Sequence, residues 1–170
     1  MDLTGTKRNC GGGKMYWDTW VTCEENGSDG RKLRKLFAYD DQDPDVEARF
    51  FTTEAEDSGN GQLVRYTPNV VAFYTGNKYD ILTSSGGTHE YLVLNSDGTF
   101  DWTTSASAGA TSASAYFPNA EGIDVINRQL FFVSKVNKEL FELDLAAKTW
   151  IVSSSTVSGA FDGQPDQIQV

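Results

Sequence analysis

The sequence predicts an all-β fold, and three observations predict it. Bulky and polar residues alternate over short runs, the period at which a strand sends successive side chains to opposite faces. Turn pairs separate those runs: Asn26-Gly27, Asp29-Gly30, Gly59-Asn60-Gly61 and Asp97-Gly98. No stretch reads as a helix of three turns; even Asn137–Lys148 carries too many strand formers.

Taken in order, the candidate strands are Asp18–Glu24, Leu33–Tyr39, Arg49–Thr53, Gln62–Thr67, Tyr79–Thr83, Glu90–Leu94 and Thr99–Thr103. A tighter group follows, Gly122–Ile126, Gln129–Ser134, Glu139–Leu143 and Thr149–Ser153. Four short strands in about forty residues, joined by tight polar turns, match one blade of a β-propeller. The pair Phe51–Glu54 and Gln62–Tyr66 has the rhythm of Leu130–Ser134 and Glu139–Leu143, and the two pairs start 79 residues apart. That is roughly two blade lengths. A β-sandwich is the alternative architecture. The run Thr103–Ala115 is small and uncharged, so it reads as a flexible loop over 103–115 rather than a domain boundary.

The stretch Asn9–Asn26 organises the chain. It opens with Cys10 and three glycines, which read as a tight turn, alternates through Trp20, Val21 and Thr22, and ends on Glu24 and Glu25. The residues alone leave open a metal site, a Cys10–Cys23 disulfide and a plain capped strand end. Only one histidine, His89, is present, which excludes centres built from several histidines. Any metal would depend on carboxylates, carbonyls, amides and a thiolate.

Lys and Arg total 14 against 24 Asp and Glu, a net charge of −10. That balance argues against nucleic acid and against an anionic membrane surface. No apolar run is long enough to span a bilayer, and the first residues carry no leader pattern. Asn26-Gly27-Ser28 is a glycosylation sequon, relevant only after export.

Three motifs in order carry a resemblance. Asn9-Cys10-Gly11-Gly12-Gly13 through Trp17-Asp18-Thr19-Trp20-Val21-Thr22-Cys23-Glu24-Glu25-Asn26 resembles the signature of PhoX-type alkaline phosphatases. So do Phe117-Pro118-Asn119-Ala120-Glu121-Gly122-Ile123 and Phe161-Asp162-Gly163-Gln164-Pro165-Asp166-Gln167-Ile168. Phe51-Thr52-Thr53-Glu54 leading to Leu63–Pro68 is a weaker fourth. The resemblance implies a six-bladed β-propeller, of which this chain would form about three to four blades, truncated at both ends. It implies a calcium and iron cluster at one mouth of the channel that hydrolyses phosphate monoesters, in a secreted or periplasmic protein. Cys10 would be a thiolate ligand to iron, Glu25 and Glu121 carboxylate ligands, and Asp166 a further acidic ligand. Cys10, Glu25 and Glu121 would thus form the catalytic centre. A soft thiolate suits iron and carboxylates suit calcium. The implied partners are a small phosphate ester and the rest of a propeller from a longer chain.

The sequence also departs from the family. Met15-Tyr16-Trp17-Asp18 stands where the family has Thr-Pro-Trp-Gly or similar. The family's Gly-Arg-Phe/Tyr-x-His-Glu element is replaced by Phe37–Glu47, without a His-Glu pair. His89-Glu90 follows the Thr-Glu strand, so no ligand role passes to Glu90. Elsewhere the plain readings are kept: His89 as a surface or cross-strand residue, Trp17, Trp20, Trp102 and Trp150 as packing, and Lys7, Arg8 and Lys14 as solvated side chains. Asp40–Asp45 is expected as an exposed acidic loop, although its oxygens are spaced closely enough to hold calcium.

Overall fold

The computed structural model describes residues 9–18, 20–24, 37–53, 61–83, 86–154, 161–166 and 168. It is dominated by β structure in three antiparallel sheets. A hairpin joins β1 (Asn9–Lys14) to β2 (Trp20–Glu24). A five-stranded meander follows: β3 (Phe37–Asp40), β4 (Arg49–Thr53), β5 (Leu63–Thr67), β6 (Thr88–Leu94) and β7 (Phe100–Thr103). A four-stranded meander closes the order with β8 (Ala120–Ile126), β9 (Gln129–Ser134), β10 (Glu139–Asp144) and β11 (Thr149–Ser154). The last sheet has the four short antiparallel strands that the spacing of its turns predicts. No closed ring of strands forms among the described residues.

The five-stranded sheet is buried on both faces, which explains the two apolar sets on its strands. Phe51, Leu63, Leu92, Leu94 and Phe100 face the main core, shared with Ile123, Leu130, Phe132, Phe141 and Leu143 of the four-stranded sheet. Phe50 and Tyr66, cross-strand partners, face a second core with Met15, Ala48 and Ile81. Phe132 stacks on Phe141 at 4.9 Å and meets Phe117 edge-on at 5.2 Å, pinning the register of β9 against β10. At the sheet edges, Trp150 N–H donates to the Gly98 carbonyl at 2.8 Å and Phe100 N–H to that of Lys148 at 3.1 Å. The first strands of the two large sheets, β3 and β8, lie against each other.

The structure corrects four sequence expectations here. The segment around Tyr79–Thr83 is not a strand but helix α1 (Lys78–Thr83). Asn77 starts it, its Oδ1 accepting the Tyr79 N–H at 3.1 Å, and that local bond outweighs the β-forming side chains. Residues expected as a loop over 103–115 form helix α2 (Ala106–Tyr116), three turns long. Ser105 caps it through the Ala108 N–H, and alanines supply helix propensity. Its small residues permit close docking: a Cβ on Gly109 would come 2.4 Å from the Tyr91 Cβ, and Ser112 Oγ accepts the Leu94 N–H at 2.9 Å.

The third correction concerns the glycines after Cys10, which lie in β1 rather than in a turn. The reversal comes later, where Asp18 N–H donates to the Met15 carbonyl at 2.9 Å and Asp18 takes a φ of 65°. Finally, β4–β5 and β9–β10 occupy the second and third places of consecutive sheets, so the spacing between them is one sheet repeat. The 3-10 turn at Val70–Tyr74, α1 and α2 lengthen that repeat.

Candidate functional site

The strand pair β8–β9 carries the best-defined candidate site, and a β-bulge shapes it. Ala120 pairs with Ser134 and Ile123 with Phe132, so Glu121 and Gly122 together oppose Val133. A bulge of this kind re-aims a side chain, and here it accompanies burial of Ala120, Glu121, Gly122 and Ile123 in succession. The loop entering β8 is held from several directions. Ser134 Oγ donates to the Pro118 carbonyl at 2.7 Å, Asn137 Nδ2 to that of Tyr116 at 2.9 Å, and Lys135 N–H to that of Asn119 at 3.0 Å. Asn119 has a φ of 53°, the left-handed conformation that asparagine tolerates.

Glu121 is 7% exposed, and a buried carboxylate needs compensation. Lys135 supplies it with Nζ 3.7 Å from Glu121 Oε1, and the same Nζ lies 3.7 Å from Asp166 Oδ1. Asp166 is held there by its backbone, whose carbonyl accepts the Gly122 N–H at 3.0 Å, and by the buried Pro165 before it. Two of the predicted ligands, distant in sequence, are therefore brought together around one ammonium group. Lys135 carries no motif in the sequence and escaped the sequence reading; only the sheet pairing reveals it.

Cys10 lies in β1, where Asn9 pairs with Glu24 and Gly12 with Thr22. A second bulge therefore sets the backbone of Cys10 and Gly11 against Cys23. Glu25 lies outside the described residues. Among the described residues no group of three or more His, Cys, Asp and Glu is placed to hold a metal ion. The two described carboxylates suit a hard cation with oxygen ligands.

A cavity of about 650 Å³ is lined by Gly12, Gly13, Tyr39, Asp40, Ile123, Asp124, Arg128 and Ile168, among others, but not by Glu121, Lys135 or Asp166. Ile123 and Ile168 each stand two residues beyond Glu121 and Asp166. The tryptophans are not all packing residues. Trp20 is 56% exposed and lines the cavity, whereas Trp102 and Trp150 pack on the main core. Burial, with the nearby carboxylate of Asp41, pushes the Tyr39 hydroxyl above its ordinary pKa.

The acidic run beside the cavity is not simply an exposed loop. Asp40 is 2% exposed, and its Oδ1 accepts the Gln42 N–H at 2.9 Å. Asp43 accepts the Asp45 N–H at 3.0 Å through Oδ1 and the Arg49 Nε–H at 2.6 Å through Oδ2. Arg128 reaches Asp40 at 3.5 Å and Asp43 at 3.6 Å. Burial pushes the Asp43 carboxyl upward, but the Asp45 amide and the Arg49 guanidinium outweigh it, and the net shift is below the usual aspartate value. These carboxylates are neutralised by arginines, which fits a structural role.

Two further groups also have structural roles. Glu90 Oε2 takes two hydrogen bonds from Arg65, at 3.0 and 2.6 Å, and the Arg65 guanidinium lies 4.6 Å over the Trp102 ring. His89 packs across the strands on Tyr66 at 4.7 Å. Lys14 pairs with Asp18 at 2.7 Å in solvent.

No curated protein and no solved structure matches the chain. Residues 1–51, the stretch that contains the Asn9–Asn26 signature, match the family model described as alkaline phosphatase PhoX.

Proposed function

We propose that the chain is part of a metal-dependent phosphomonoester hydrolase of the PhoX kind, with its sheets arranged as blades of a propeller. The observation that carries this reading is the meeting of Glu121 and Asp166, distant in sequence, around the Lys135 ammonium. The match over residues 1–51 supports the family, and the contact between β3 and β8 suits first strands set around a common axis. In this reading Glu121 and Asp166 hold calcium, while Cys10 and Glu25 complete the centre with a thiolate for iron and a further carboxylate. When bound, such metals supply the positive charge that neutralises a phosphate and stabilises its transfer.

The chain's own residues set the stage for that chemistry. The bulge directs Glu121, the Gly122–Asp166 bond holds the last segment in place, and the left-handed Asn119 turns the chain into β8. A net charge of −10 would repel a phosphate ester, so cation loading is a condition of substrate binding. The substrate is a small phosphate ester, with neither nucleic acid nor membrane as partner. The remaining blades come from a longer chain, in a secreted or periplasmic protein.

A second reading, a non-catalytic calcium-binding propeller module, is favoured by one observation. The segment where the family's His-Glu element would stand instead forms the arginine-matched pairs of Asp40 and Asp43. Hydrolysis of p-nitrophenyl phosphate, followed with and without a chelator and in Cys10→Ser, separates the readings. The phosphatase reading expects turnover and bound iron, both lost on chelation and in the variant. Turnover that survives both treatments overturns it. Calcium bound without iron or turnover selects the second reading.

A further inference from the structure

The geometry around Lys135 points to a role beyond pairing. We propose that Lys135 is a resident counter-ion for Glu121 and Asp166, one that must withdraw before the pair takes up a divalent cation and that thereby sets the pair's cation affinity. This deepens the proposed function and rests on its assignment of the two carboxylates as ligands.

Three observations carry the inference. Nζ stands 3.7 Å from both Glu121 Oε1 and Asp166 Oδ1, midway in distance between two acids that the chain brings together from far apart. That separation is too long for a hydrogen bond, so charge alone holds the ammonium there. The surrounding backbone is hydrogen-bonded and the side chain is partly open to water. Lys135 N–H is bonded to the Asn119 carbonyl at 3.0 Å, whereas the side chain is 34% exposed. A flexible four-carbon stem with an open path to water can swing out without disturbing β9.

Calcium prefers oxygens at roughly 2.3–2.6 Å, so each carboxylate would close in by on the order of 1 Å once the ammonium has left. Asp166, on a short irregular segment and 57% exposed, is free to make that move. Glu121, in the strand, is the fixed member of the pair. A lysine suits this exchange better than an arginine, whose planar fork would lock both carboxylates with directed hydrogen bonds.

Calcium titration by calorimetry on the chain tests the proposal. The comparison runs over the wild type, Lys135→Gln, Lys135→Arg and the charge control Lys138→Gln. Removing the competing charge is expected to tighten calcium binding about tenfold in Lys135→Gln. Lys135→Arg should restore the wild-type affinity or weaken it further. Lys138→Gln, which changes net charge equally from the β9–β10 turn, should stay within about twofold of the wild type. Equal affinity in Lys135→Gln and the wild type overturns the counter-ion role while leaving the carboxylates as ligands. An equal gain in Lys138→Gln overturns it too, because the effect would then be one of net charge. Absence of calcium binding in all four proteins overturns both the counter-ion role and the ligand assignment. Thermal unfolding without calcium, run on the same samples, ensures that each affinity is read on folded protein.

Discussion

Two groups of acids, one at Arg49 and Arg128 and the other at Lys135, are neutralised in different ways. Asp43 accepts a hydrogen bond from Arg49 at 2.6 Å, and Arg128 lies 3.5 Å from Asp40 and 3.6 Å from Asp43 without a hydrogen bond to either. Glu121 and Asp166 share a single lysine, with both contacts at 3.7 Å and no hydrogen bond within either. Arg49 is fixed by donating to both Asp43 and Thr67, and a buried pair that is hydrogen-bonded resists exchange. An ammonium held only by charge can be replaced by another cation. The difference separates Asp43, fixed by a hydrogen-bonded arginine, from Glu121 and Asp166, whose shared lysine makes no hydrogen bond to them, although neither group is distinguished by charge count alone.

The largest expected effect comes from the arginine side. In Arg49→Met the Asp43 carboxylate, 9% exposed, loses its hydrogen-bonded partner. The cost should be about 3 kcal/mol, toward the low end for a broken buried pair because Arg128 remains nearby. Denaturant midpoints with and without calcium would measure it, and calcium should not restore the loss. Recovery on adding calcium would show that Asp43 is itself a cation ligand and would erase the distinction between the two groups.

Acid provides the next test. The Asp43 carboxyl is held below its ordinary value, burial raising it less than the Asp45 amide and Arg49 lower it. A carboxyl depressed on folding contributes stability that is fully present above its unfolded pKa of about 3.9 and lost as pH falls through the folded value. Stability of the wild type should therefore drop below about pH 4, and Asp43→Asn should lose this part of the pH dependence. Parallel pH profiles for the two proteins would remove Asp43 from the structural side of the comparison.

A smaller effect belongs to the lysine side. Lys135 is partly exposed and makes no hydrogen bond to either carboxylate, so Lys135→Gln should cost about 1 kcal/mol without calcium. Added calcium should recover that loss, the reverse of what is expected for Arg49→Met. Paired denaturation curves would show whether the two variants respond oppositely. A loss that calcium leaves unchanged would place Lys135 with the structural arginines.

The ease of reading the sequence varied along the same lines. Strands β4 and β9 match their sequence boundaries because each is a short run of aromatic and β-branched residues, Phe50–Thr53 and Phe131–Val133 among them, which favours a strand buried on both faces. Helix α2 was invisible because its evidence is the absence of bulk. Gly109, Ser112 and Ala113 are buried only because β6 comes close enough for small residues to fill the gap. Helix α1 was hidden by Tyr79, Ile81 and Leu82, strand formers whose backbone is organised from Asn77. At the site, Glu121 and Asp166 were found through their flanking motifs, whereas Lys135 lies in an ordinary strand-end context and becomes visible only when β9 pairs with β8. The acidic run misled for a similar reason: its partners, Arg49 and Arg128, are set opposite it by tertiary structure.

The smallest expected effect tests whether distance by itself could have drawn the comparison. Lys14 and Asp18 approach to 2.7 Å, closer than any contact of Lys135, yet their side chains are 68% and 83% exposed. Water already solvates both charges, and holding two free side chains together costs rotamer entropy comparable to the attraction. The pairing lowers the Asp18 carboxyl and raises the Lys14 ammonium, but solvent screens what such shifts contribute to folding. Asn is the suitable replacement because Asp18 sits at a φ of 65°, where asparagine is as much at ease as aspartate. Asp18→Asn should leave the denaturant midpoint unchanged at both low and high salt. A salt-dependent loss of stability in that variant would mean that the short contact matters despite its exposure. Burial and hydrogen bonding would then no longer suffice to divide the structural acids from the reactive ones.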